Sequence, residues 1–399
     1  MNGLRVRLLR FLLDPRVALS VPLLVAAGAA VQQVLLTRYR PLPDGLTHYN
    51  NFLVFRQAFV HLLEGRNLYL DFPGEHFDNF LYSPTFAVLM APFSVLPVAP
   101  SLVLWNLANA AVMVAGIRSV PGLDGRARSL FAWFLLLEFV GAAQNSQTNP
   151  AIVGLLLLAF AAAERRRASA AGLLLALAGY VKIFPLAAGL VFLLYPWRLR
   201  LVLSTAAWVL ALALLPLLVV SPAALLWQYG NWIHLHTTST HAAGLGMSVA
   251  QLLHAWFGVD PPRVLLLGVA GIATALPLLR PARFGDPAFR AAFLGALLMW
   301  MIAFNHLTES PTFVIAMAGI ALWYFGQAST PLHRGLLWAA LLLVSVTYSD
   351  LVPPGFRNRF LHPYGVKVLP VAVIWVVAVV ELTTGDRGRR EPAPAAPTA

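Results

Sequence analysis

The chain has 399 residues, 59% of them apolar and only 11% charged, with a formal net charge of +12 and no cysteine. A soluble domain carries about 25% charged residues; here the deficit runs the whole length, so a large soluble domain is excluded and lipid must solvate most of the surface. The missing cysteine excludes disulfides, thiolate catalysis and Cys metal sites, and the basic balance reflects cytoplasmic loops that meet anionic headgroups, not nucleic acid.

Arg5, Arg7, Arg10 and Arg16 precede the apolar run Val17 to Leu36, long enough to cross a bilayer at about 20 residues. Ala27-Gly28-Ala29 resembles a signal-peptide cleavage site, but an uncleaved anchor suits a chain that goes on to cross again. Further apolar runs at roughly 99–117, 129–143, 150–163, 168–180, 183–195, 200–220, 263–280, 290–304, 312–327, 335–348 and 366–382 predict an all-α polytopic bundle of about twelve transmembrane helices. With the N-terminus inside, the cytoplasmic connections collect Arg118, Arg126, Arg128, Arg165 to Arg167, Arg198, Arg200, Arg280, Arg283, Arg290 and Arg334. That bias places both termini in the cytoplasm of an inner (plasma) membrane protein. The expected unit is one membrane domain, 1–382, with outer loops 37–98, 221–262 and 349–365. A polar, Pro/Ala-rich tail over 383–399 is expected to be disordered.

Parity forces two features. Pro84 to Pro97 is apolar but must not cross, and Pro84, Pro92 and Pro97 suit a broken or re-entrant segment. The run 168–195 must hold two short passes broken near Lys182, the rival being one long tilted helix. No internal repeat is visible, which argues against many transporter folds.

In the first outer loop Phe52, Phe55, Phe59, Leu62 and Leu63 recur at helical spacing, with Arg56, Gln57, His61 and Glu64 opposite and Gly65 placed to stop the helix. This predicts an amphipathic helix, either lying on the outer leaflet or packed on the bundle. The order Asn51-Phe52-Leu53-Val54-Phe55-Arg56, Gly65-Arg66-Asn67-Leu68-Tyr69, Tyr82-Ser83-Pro84, Gln147-Thr148-Asn149 and Lys182-Ile183-Phe184-Pro185 resembles the polyprenol-phosphate-mannose-dependent mannosyltransferases of glycosyltransferase family 87. The resemblance implies a GT-C-like fold and an inverting transfer of a hexose, mannose, from a polyprenyl-phosphate sugar donor to a lipid or glycan acceptor at the non-cytoplasmic face. It also implies a catalytic Asp in the first outer loop, and it makes Arg56, Tyr82, Gln147, Asn149 and Lys182 candidate substrate-binding residues.

The position matching that Asp is Asn51, whose amide cannot take a proton at neutral pH. The loop offers Asp44, Glu64, Asp71, Glu75 and Asp78 as replacements; Glu75 and Asp78 lie in the aromatic stretch before Tyr82-Ser83-Pro84. A second cluster is Asn305-His306-Leu307-Thr308-Glu309-Ser310-Pro311. On a helix His306 and Glu309 would share a face, with His306 for the carrier phosphate and Glu309 as the first candidate base. Lys182, the only lysine before Lys367, needs an anion or carboxylate, and Glu138 is its candidate partner. Trp227, Tyr229, Trp232, His234, His236 and His241 form either an interface belt or a sugar platform. Neither a metal nor another cofactor is expected, since no Asp-x-Asp occurs. Two rival readings are a glycolipid transporter or flippase, and an inactive family member acting as an assembly partner.

Overall fold

The computed structural model describes residues 2–43, 46–238, 244–327 and 329–385. Asp44, His241 and the tail from 386 onward lie outside the described residues. Among those described, the chain is helical throughout and contains no strand.

α1 (Asn2–Leu12) leads into α2 (Pro15–Tyr39). Asp14 caps α2 by accepting the Arg16 N–H at 2.8 Å, with Pro15 in the first turn, where its missing N–H costs nothing. Next comes α3 (Asn50–Leu63), which buries Phe52, Phe55, Phe59 and Leu62 and leaves Leu63 exposed. Its apolar face is therefore spent on the protein, packed on α4 (Pro84–Leu89) and α5 (Ala91–Ser94), rather than turned to lipid. These two short helices are the broken segment read from its prolines, and Ser83 caps α4 through the Phe86 N–H at 3.1 Å.

The bundle follows with α6 (Val98–Ser119), α7 (Gly125–Gln144), α8 (Asn149–Glu164) and α9 (Ala168–Val181). A 3-10 stretch, Phe184–Leu194, joins α9 to α10 (Arg198–Ala213). Then come α11 (Pro222–Thr238), α12 (Val249–Phe257), α13 (Arg263–Ala275), α14 (Pro287–Ala303), α15 (Phe313–Phe325) and α16 (Pro331–Ala340). After a π-helical turn at Leu341–Val346, α17 (Pro354–Phe356) runs into a second π-helical turn, Arg357–Leu361, before α18 (Val368–Thr384). Every apolar run predicted above coincides with one of these helical segments. Three of them, Pro15–Tyr39, Val98–Ser119 and Arg198–Leu218, are long and apolar enough to cross a membrane; most of the others are shorter.

The core lies between α6, α7, α8, α14, α15 and α18. Small residues permit the closest approaches: a methyl at Gly116 would sit 2.8 Å from the Gly154 backbone, and one at Gly295 2.5 Å from the Gly319 carbonyl. Packing of this kind replaces the hydrophobic drive that lipid-solvated helices lack. On the other side, α10 buries little beyond Leu201 and Leu212 and exposes Leu203, Leu210 and, just past its end, Leu218. An apolar surface this continuous belongs in lipid.

The 168–195 run is broken at Lys182, which is extended at φ −143°, ψ 144°. Pro185 has no N–H for the Val181 carbonyl and disfavours helical geometry at the residue before it. The single tilted helix is thus ruled out for this segment.

Candidate active site

At the end of the bundle where α8 begins, four separated stretches meet. The first is Tyr82. Its ring lies 4.8 Å from those of Phe55 and Phe86. Its carbonyl accepts the Tyr69 hydroxyl at 3.2 Å, and the next residue, Ser83, donates its Oγ to the Tyr180 carbonyl at 2.6 Å. From α11, Trp232 and His236 donate to the Leu81 carbonyl at 3.2 and 3.1 Å. The phenol of Tyr82 lies against Thr148; burial pushes its pKa up, as do the carboxylates of Glu309 and Asp78 nearby, so it stays a neutral donor.

The second stretch is the α7–α8 turn. Ser146 is buried at φ +52°, a left-handed conformation that costs a non-glycine residue of order 1–3 kcal/mol. Its carbonyl accepts the Trp105 indole N–H at 2.8 Å, which helps fix the turn. Gln147, Thr148 and Asn149 follow, all buried, and Gln147 Oε1 has no hydrogen-bond partner. Asn149 bridges: its Nδ2 donates to the Pro311 carbonyl at 3.1 Å, and its Oδ1 accepts from Lys182 Nζ at 3.0 Å.

Lys182 is the third stretch, aimed into the cluster by the helix break, with Nζ 5.9 Å from the centre of the Tyr82 ring. Glu138 is not its partner. That carboxylate is bound by Lys367, just before α18, at 3.0 Å through both oxygens, although 229 residues separate the pair.

The fourth is the turn 305–311. It is not a continuation of α14: Asn305 Oδ1 accepts the Leu307 N–H at 3.0 Å, and Glu309 is extended at φ −106°, ψ 164°. His306 and Glu309 therefore do not share a helix face. Glu309 is exposed, and its charge acts on both Lys182 and Tyr82, yet no ion pair within 4 Å forms with Lys182. Lys182 and Glu309 thus influence each other without a direct ion pair. The backbone carbonyl of His306 packs against Gly246, and the pKa of its imidazole is lowered by burial and then by Arg263.

The remaining candidates are engaged elsewhere. Arg56 donates to the Ser94 and Leu96 carbonyls at 2.9 and 3.1 Å, tying α3 to α5. Glu75 accepts from His61 at 2.7 Å and Arg66 at 3.0 Å; burial raises its pKa, but these two partners outweigh that and hold it below the usual carboxylate range. Asp78 sits at φ +86° and accepts the Asn79 N–H at 2.8 Å. Asn50 clamps the backbone N–H and C=O of Phe77, and Asn51 donates to the Asn145 carbonyl at 2.9 Å. Asn50 thus ties two parts of the first loop together, and Asn51 joins that loop to the α7–α8 turn. Thr148, between two residues singled out from the sequence, carried no separate signal.

A glycosyltransferase family 87 profile matches residues 80–304, more than half of the chain. The chain belongs to glycosyltransferase family 87. No curated protein sequence matches it. Family 87 membership assigns it, in general terms, membrane glycosyltransferase activity with a donor and an acceptor. In this family 87 chain the matched span carries Tyr82, the Gln147-Thr148-Asn149 turn and Lys182, whereas Asn51 and Glu309 lie outside it.

Proposed function

We propose that the chain is an inverting GT-C-type transferase with twelve crossings and both termini in the cytoplasm. It moves a hexose, mannose, from a polyprenyl-phosphate carrier to a lipid or glycan hydroxyl at the non-cytoplasmic face. The observation that carries this reading is Lys182, held by Asn149 and lying over the Tyr82 ring, with the charge of the unpaired Glu309 carboxylate acting on both. In this scheme Lys182 and the Asn149 amide region receive the carrier phosphate, and the Tyr82 ring, flanked by Phe55 and Phe86, faces the sugar. The acceptor O–H attacks the anomeric carbon from the side opposite the phosphate. The C–O bond to phosphate breaks, polyprenyl phosphate leaves with the electron pair, and the acceptor proton passes to Glu309. Asp78, also near Tyr82, is the second candidate for that proton; Glu75 is disfavoured because both its oxygens are occupied. General-base assistance of this kind contributes about 10²–10⁴-fold.

A second reading, a family member without activity, draws on Asn51, whose amide serves a structural bond where the family resemblance implies a catalytic Asp. One experiment separates the two. Labelled polyprenyl-phosphate mannose is supplied to membranes with and without the protein, and a new glycosylated product is sought. A product that depends on the protein supports the transferase; none, across lipid and glycan acceptors, favours the inactive member.

A further inference from the structure

Beside the site lies a buried ion pair that the reaction above does not use. Lys367, at the start of α18, is 2% exposed, and Glu138, inside α7, is 5% exposed. Lys367 Nζ donates to both Glu138 oxygens at 3.0 Å and to Ser310 Oγ at 2.7 Å, so its three hydrogens are all spoken for. It is also sandwiched 5.1 Å from the centres of the Phe313 and Tyr348 rings, and its backbone N–H donates to the Tyr348 hydroxyl at 3.2 Å. Two π-helical turns, Leu341–Val346 and Arg357–Leu361, flank this region. Such turns are uncommon and gather at functional sites.

A pair taken this far out of water gains little stability over a well-packed apolar replacement. What distinguishes this one is its third contact. Ser310 follows Glu309 directly, and the residue after it, Pro311, accepts from Asn149, which holds Lys182. On the other side, the Thr308 carbonyl accepts the Met247 N–H at 2.8 Å, and Thr308 Oγ1 donates to the Ile302 carbonyl at 2.9 Å. Thr308, Ser310 and Pro311 are thus each anchored, while the Glu309 side chain forms no ion pair. We propose that Glu138 and Lys367 are positioning residues: acting through Ser310, they fix the 308–311 turn so that Glu309 faces Lys182 and Tyr82. The proposal rests on the transferase reading above.

The test uses the full-length protein in membranes. Ser310→Ala cuts the link and leaves the ion pair intact. Glu138→Gln/Lys367→Met removes both charges together, so that neither is left buried alone. Both variants are expected to lower kcat about 10- to 100-fold, as small misplacements of a catalytic group do, with the donor KM within about twofold. A matched control neutralises Glu164 and Arg290, which pair at 2.6 Å at the far end of α8, about 24 Å away along a 16-residue helix; it should cost stability and spare kcat. Hydrogen exchange of the 305–312 amides is read in every variant and needs no turnover. Faster exchange there in Ser310→Ala, with the rest of the bundle unchanged, is the expected result. If the parent transfers sugar and Ser310→Ala keeps full kcat, the positioning role is refuted while the transferase stands. If the parent transfers nothing, the transferase reading fails, and unchanged exchange in Ser310→Ala then refutes the anchoring as well.

Discussion

Replacing Lys182 by Met tests the phosphate end of the site most directly. The methionine fills a similar volume, so Tyr82 keeps its neighbour, but the 3.0 Å donation to Asn149 and the cation beside the Tyr82 ring are lost. Asn149 keeps its bond to the Pro311 carbonyl, so the α7–α8 turn stays tethered to the 305–311 turn. A hydrogen bond to a charged group is worth about 1.5–3 kcal/mol, which converts to roughly 10- to 100-fold in apparent donor affinity. The measurement is the donor KM in membranes, at matched protein levels, for parent, Lys182→Met and Lys182→Arg. The Met variant should raise the KM by that factor, and Arg should recover part of it, because a planar fork replaces a point charge. An unchanged KM in Lys182→Met, with normal expression, would refute the phosphate role.

Glu309→Gln should lower kcat by about 10²–10⁴-fold with little change in donor KM, while Asp78→Asn should cost far less; the reverse order would move the base to Asp78. Asn51→Asp loses the donor that reaches the Asn145 carbonyl, so thermal stability in detergent should fall by about 0.5–1.5 kcal/mol with no gain in turnover. A rise in turnover on that change would instead favour the inactive-member reading for the parent. Acid should loosen the first loop. The lowered pKa of Glu75 gives stability that is present above the ordinary carboxylate range and lost as pH falls through its folded value. His76, lowered chiefly by burial, adds to this below its ordinary value near 6.5. Proteolysis of the 64–82 segment should therefore accelerate below about pH 6.5 with His76 and again below the ordinary carboxylate range near 4.5 with Glu75, and Glu75→Gln should remove the second step.

Local chemistry was legible in the sequence where a single residue decides it. The apolar runs became helices, Pro185 broke the chain at Lys182, and prolines kept 84–97 from forming one helix. Tyr82 and Asn149 stand out through the family resemblance and Lys182 as a lone lysine between apolar runs, and the fold brings the three together. Partnership across the fold was not legible. Glu138 reads as a partner of Lys182, since nothing local says that Lys367 reaches it across 229 residues. The bonds of Arg56 to the Ser94 and Leu96 carbonyls were not legible either, since those carbonyls come within its reach only after α3 and α5 have packed. His306 and Glu309 read as helical neighbours because the sequence does not show that Asn305 caps the turn and ends the helical spacing there.

The two lysines also differ as amines. Lys367 has every N–H committed and almost no accessible surface, whereas Lys182 has one recorded hydrogen bond and is only partly buried. All other fixed cations in the sequence are arginines, which common acylating reagents leave untouched. An amine-directed probe applied to the folded protein would therefore have one internal target, the Lys182 ammonium beside the Tyr82 ring. Its labelling rate would report whether a ligand covers Lys182, without knowledge of the acceptor and without any product being made.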